Sequence, residues 1–123
     1  LLGVTVLTSL DRTDLEATGV NADPSDQVLR LAVLAHASGL DGVICSPHEI
    51  AALRKQCGPD FVLMVPGIRP VGSSANDQKR AMTPGQGVDL GPPTLVVRRP
   101  IYQAADPRAA AEAIAREAGV NDL

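Results

Sequence analysis

The chain has no tryptophan, one tyrosine and one phenylalanine in 123 residues. That scarcity removes the aromatic platforms on which single-stranded nucleic acids stack. A net charge of −3 removes the electrostatic case for nucleic acid or an acidic membrane surface. Two cysteines, Cys45 and Cys57, are too few for a disulfide framework or a zinc site. No apolar run reaches membrane-spanning length, and no signal peptide is present. Also missing are Gly-x-Gly-x-x-Gly, a Walker loop, a nucleophile elbow and a metal-ligand motif. A cytoplasmic protein is expected. With 45% apolar residues and almost no aromatics, the core is expected to consist of Leu, Val, Ile and Ala.

What is present alternates. Leu1 to Leu7 is apolar and rich in β-branched residues, as in a buried strand. Asp11 to Gly19 follows as a short helix. Asp23-Pro24-Ser25-Asp26 opens a longer one, with Asp23 as cap and Pro24 in the first turn, and Gly39 stops it. Gly42 to Cys45 is a second strand, with Cys45 a buried reduced thiol. Ser46-Pro47-His48-Glu49 reads as a capping box for a helix that ends at Gly58. Phe61 to Val65 is a third strand, Pro66 to Arg80 a long polar loop, and Thr94 to Val97 a fourth strand. Thr83-Pro84 starts a helix that Gly85, Gly87, Gly91, Pro92 and Pro93 make poor. Asp106-Pro107 opens a last, Ala-rich helix reaching about Ala118. Four βα units imply a parallel sheet covered by helices. They fit a small doubly wound sheet and equally half of an eight-stranded barrel of about 250 residues. The chain opens inside a strand with no Met, as expected of a sequence that is incomplete at its start.

Binding residues in parallel α/β folds gather at the C-terminal ends of the strands. Thr8, Ser46, Pro66-Gly67-Ile68-Arg69-Pro70 and Arg98-Arg99 all fall there. A guanidinium at Arg99 can grip phosphate through two parallel hydrogen bonds, although a surface ion pair explains its position equally well. Arg69 follows a Pro-Gly turn that lets backbone approach a ligand. Gln78 lies in the long loop, where lids are found, and otherwise reads as a solvated amide. Thr8 and Ser46 offer hydroxyls, with Ser46 already explained as a helix cap. His36 and His48 have no partner at triad or metal spacing, and Lys79-Arg80 reads as a charged loop edge.

The ordered set of Val4-Thr5-Val6-Leu7-Thr8-Ser9, Gly39 to Ser46, Pro66-Gly67-Ile68-Arg69-Pro70, Asp77-Gln78-Lys79-Arg80 with Thr83-Pro84, and Val96-Val97-Arg98-Arg99-Pro100-Ile101 resembles the C-terminal half of bacterial orotidine 5′-phosphate decarboxylases. The resemblance covers nearly the whole chain. It implies an eight-stranded TIM (βα)8 barrel, of which residues 1–123 form one half, strands five to eight. It implies a homodimer converting orotidine 5′-monophosphate to uridine 5′-monophosphate and carbon dioxide, with no metal and no organic cofactor. Thr8 and Ser46 would then lie near the pyrimidine, and Arg69, Gln78 and Arg99 on the phosphate. Two departures stand out. The family's Asp-x-Lys-x-x-Asp motif, whose lysine is the proton donor, does not occur here, so no catalytic residue is assigned to this chain. Arg98 replaces the family's Gly, and it either crowds the phosphate site or swings outward as a supplementary cation. Other readings are a metal-using relative acting on sugar phosphates, and a non-catalytic half-barrel that binds phosphorylated ligands.

Overall fold

The computed structural model describes residues 1–89 and 93–120. In chain order they form β1 (Leu2–Val4), α1 (Arg12–Ala17), α2 (Pro24–Ala37), β2 (Gly42–Ile44), a 3-10 turn (Pro47–Glu49), α3 (Ile50–Cys57), β3 (Val62–Val65), α4 (Pro84–Asp89), β4 (Thr94–Leu95), α5 (Arg99–Tyr102) and α6 (Pro107–Glu117). The strands make one four-stranded sheet in the order β1-β2-β3-β4. Every pairing is parallel, in a register that aligns Gly3 with Val43, Val43 with Leu63, and Val65 with Leu95. Parallel neighbours need a crossover, and helical segments lie between each pair of strands. The fold is thus an α/β fold with a parallel sheet, as expected from the alternation.

Alternation along the strands sorts the two faces of the sheet. Val43, Cys45, Leu63 and Val65 pack with Val28, Ala32, Ile50 and Leu53 of α2 and α3 in one core cluster. The opposite face carries Val4, Ile44 and Met64 in one register row and is far less covered, with Val4 60% exposed. Gly42 is required by the contact between β2 and β3. A Cβ there would sit 2.1 Å from the Val62 carbonyl oxygen, so no larger residue fits.

The local signals act much as chemistry dictates. Asp11 and Asp14 form a reciprocal box at the start of α1: the Asp14 N–H donates to Asp11 at 3.1 Å and the Asp11 N–H to Asp14 at 3.0 Å. Gly39 takes a φ of +82° just past α2, a conformation that favours glycine. Asp106 accepts from the Ala109 N–H at 3.0 Å and caps α6. Asp23 departs from expectation. It stands at the N-cap of α2 but makes no side-chain cap bond; its carboxylate instead accepts from Arg12 at 3.0 Å.

The strands are shorter than the apolar runs that announced them. Backbone pairing continues past their formal ends, with Thr5 N–H donating to the Ile44 carbonyl at 3.3 Å and Val96 N–H to that of Val65 at 2.9 Å. α4 forms despite its glycines, and Gly87 is buried where a Cβ would touch Ile68 at 3.4 Å and Leu95 at 3.5 Å. Gly91 and Pro92, read as weakening that helix, lie outside the described residues. α5 has no counterpart in the sequence reading. No described helix is long and apolar enough to cross a membrane.

Candidate functional site

Because all four strands run the same way, the segments that follow them emerge at one end of the sheet. There they enclose a cavity of about 240 Å³ lined by Thr8, Pro66, Gly67, Arg69, Gln78, Val96, Arg98 and Arg99. Thr8, Arg69, Gln78, Arg98 and Arg99, residues separated by up to 91 positions, are therefore brought together. Ser46 is not among them. Its hydroxyl is fully buried, donates to the Glu49 carboxylate, and accepts from Arg80 at 3.3 Å.

Gly67 shapes the floor. It adopts a φ of +80°, and a Cβ on it would lie 3.1 Å from Gln78 Oε1 and 3.5 Å from the Thr8 side chain. The Thr8 hydroxyl donates to Gln78 Oε1, which leaves the amide's N–H groups for other acceptors. The Thr8 carbonyl in turn accepts from the backbone N–H groups of Lys79 at 3.1 Å and Arg80 at 3.3 Å. The long loop after β3 is thereby fastened to the segment that follows β1.

Three arginines meet at this cavity. Arg69 is 8% exposed; its Nη1 donates to the Ile68 carbonyl at 2.8 Å. Its buried Nε has no hydrogen-bond partner among the described residues. Burial first, then the charge of Arg99, pulls the Arg69 pKa below the ordinary guanidinium value, with Asp77 opposing. Arg99 donates to the Asp77 carboxylate, and that hydrogen bond is the main reason the Asp77 pKa lies below the usual carboxylate value. Arg98 is exposed at the rim, with a negative backbone φ of −124°. Arg98 nonetheless lines the cavity. Like charges held this close favour an anionic partner, and guanidinium forks match the oxygens of a phosphate. The lining contains no carboxylate, lysine or histidine, so these residues can bind and orient a ligand but not shuttle a proton.

The reading of Lys79-Arg80 as a charged loop edge holds for one residue and fails for the other. Lys79 is half exposed and pairs with Asp14 at 2.7 Å and Asp11 at 2.9 Å, which raises its own pKa and lowers that of Asp11. Arg80 is buried and ion-paired with fully buried Glu49. No local pattern could have announced this pair, whose members are 31 residues apart. Asp77, the partner of Arg99, stands out in the sequence only as part of the Asp77-Gln78-Lys79-Arg80 motif. His36 and His48 are exposed and outside the cavity; the His36 ring meets Phe61 edge-on at 5.0 Å. Cys45 is buried, and desolvation pushes its thiol up to about 12.

Comparison with known proteins gives this geometry a relationship. Residues 1–114 match the model of the orotidine 5′-phosphate decarboxylase / HUMPS family. The chain is 55% identical over 114 residues to an orotidine 5′-phosphate decarboxylase of Glaesserella parasuis serovar 5, covering 93% of this chain and 50% of the relative. It is 57% identical over 117 residues to the protein of that name from Gluconobacter oxydans, covering 95% of this chain and 50% of the relative. Among solved structures, the orotidine 5′-phosphate decarboxylase of Lactobacillus acidophilus superposes with a TM-score of 0.77 at 42% identity, over 96% of this chain and 48% of that one. The chain spans about half the length of the curated relatives it matches. It belongs to the orotidine 5′-phosphate decarboxylase / HUMPS family.

Proposed function

We propose that this chain is the ligand-gripping half of an enzyme that converts orotidine 5′-monophosphate to uridine 5′-monophosphate and carbon dioxide in pyrimidine biosynthesis. The observation that carries the reading is the convergence of Thr8, Arg69, Gln78, Arg98 and Arg99 on one cavity at the C-terminal ends of parallel strands. Family membership and the names of the relatives support it. In this reading β1 to β4 are strands five to eight of an eight-stranded barrel. Arg69, Arg99 and the Gln78 amide hold the phosphate, with Arg98 as a supplementary cation at the rim. Thr8 and the backbone around Ser46 face the pyrimidine. The working protein is a cytoplasmic homodimer that uses no metal or organic cofactor and engages neither nucleic acid nor membrane.

The chemistry divides accordingly. The bond between the ring carbon and its carboxylate breaks, carbon dioxide leaves, and the electron pair stays on the ring carbon. A lysine ammonium delivers the replacing proton. The Asp-x-Lys-x-x-Asp motif that supplies it in this family is absent from these 123 residues, so their contribution is positioning. Contacts to a remote phosphate are worth most when they hold the reacting ring in place, because that energy is then expressed in the transition state.

The test uses the polypeptide at its natural length. Orotidine 5′-monophosphate should be converted to uridine 5′-monophosphate, and chelators should not slow the reaction. Arg99→Ala should lower kcat/KM by about a hundredfold although Arg99 touches no reacting atom. Unchanged kcat/KM in that variant would sink the assignment of the phosphate grip. Binding of uridine monophosphate without turnover would leave a non-catalytic phosphate-binding protein, and loss of activity to chelators would point to the metal-using relatives.

A further inference from the structure

Arg80 is the most heavily engaged side chain near the cavity, yet it does not line it. Its Nη1 donates to the Glu49 carboxylate and to the Ser46 hydroxyl at 3.3 Å. Its Nη2 donates to the Val6 carbonyl at 2.9 Å and reaches that of Leu7 at 3.4 Å. Glu49 is saturated in turn: it accepts from the Ser46 N–H at 2.8 Å, from the Ser46 hydroxyl, and from Ser25 at 3.3 Å. The Arg80 Nε itself is left without a partner among the described residues. One planar fork thus clamps the segment after β1, the segment after β2 and the long loop that carries Gln78 two positions upstream.

Stability alone does not call for such a pair. Both partners are desolvated, and an apolar pair of similar volume would generally serve the fold as well or better. What charge and a rigid fork add is direction: several acceptors are held at fixed angles, and a slipped loop would leave buried charge unpaired. Beside the backbone bonds of Lys79 and Arg80 to the Thr8 carbonyl, this loop is also held by the ion pairs of Lys79 with Asp11 and Asp14, which are exposed and correspondingly weak. We infer that Arg80 is a positioning residue, whose buried pair with Glu49 sets the Gln78 loop against Thr8 in the geometry that receives a phosphate. The inference rests on reading the cavity as a phosphate site.

The experiment measures the dissociation constant for inorganic phosphate in the natural-length protein and in Arg80→Lys and Arg80→Met, with folding checked by thermal melt. The Gln78 side-chain amide is followed by NMR. Folded variants should bind phosphate about tenfold more weakly or worse, with Arg80→Lys the milder of the two, and the Gln78 resonance should move before any ligand is added. A folded variant with unchanged affinity and an unmoved Gln78 resonance overturns the inference while leaving the phosphate site standing. Failure of the unsubstituted protein to bind phosphate removes the site and this role together. If neither Arg80 variant folds, Glu49→Gln decides by the same two readouts. If that too unfolds, Arg80 serves the fold alone and the inference is wrong.

Discussion

At the scale of single residues, the cavity gathers three arginines, one of which, Arg99, is paired with a carboxylate outside the lining. Asp77 is exposed and lies on the loop, whereas its partner Arg99 is largely covered. A phosphate entering the cavity must compete with that carboxylate for the same guanidinium. Asp77→Asn should therefore tighten phosphate binding, by about two- to fivefold at low ionic strength and less as salt is added. Titration calorimetry at two salt concentrations checks this, and weaker binding in the variant would mean that Asp77 helps shape the site. Gly67 makes the opposite case. At its φ of +80° an alanine is strained by roughly 1–2 kcal/mol, and its Cβ would press on the Gln78 amide. Gly67→Ala should lose both stability and phosphate affinity. Cys45, buried and with its thiol raised to about 12, holds no thiolate at neutral pH. A thiol reagent should therefore label half-buried Cys57 in the native protein and reach Cys45 only on unfolding.

At the scale of elements, local chemistry was legible and long-range chemistry was not. Asp11, the Ser46–Glu49 pair, Gly39 and Asp106-Pro107 mark helix boundaries through interactions within a few residues, and each sits at or next to the end it announced. That Thr8, Arg69, Gln78, Arg98 and Arg99 share one end of the sheet was legible for a related reason, although Ser46 lies outside their cavity. Parallel βα units send every strand's C-terminal end to one side, so position in the chain implied position in space. Asp23 was misread because Arg12 reaches it from the preceding helix, a competition that the sequence pattern of α2 does not contain. Arg80 was misread because its partners come from the segments that follow β1 and β2. α5 was missed because a four-residue helix begun at Arg99-Pro100 has no periodicity to detect. The caps yield a direct prediction. Asp106→Ala removes the acceptor for the Ala109 N–H and should cost about 1 kcal/mol, seen as a lower midpoint in urea with an unchanged slope.

At the scale of the whole molecule, the sheet is finished on one face and open on the other. One face lies under α2 and α3. The other presents Val4 at 60% exposure with Leu7 at 57% beside it, while Val62 and Val96 are each 38% exposed. β1 and β4 are also the unpaired edges of the sheet among the described residues. Exposed apolar surface next to unpaired parallel strands is a template for association. The 123 residues expressed by themselves should consequently dimerise or aggregate, with a mass that rises with concentration in size-exclusion chromatography coupled to light scattering. A charge placed on the open face acts on that surface without touching the core. Val4→Glu, on the edge strand, should shift the population toward monomer while the melting temperature changes little. A stable monomer at high concentration in the unsubstituted chain would overturn the prediction that this face drives association.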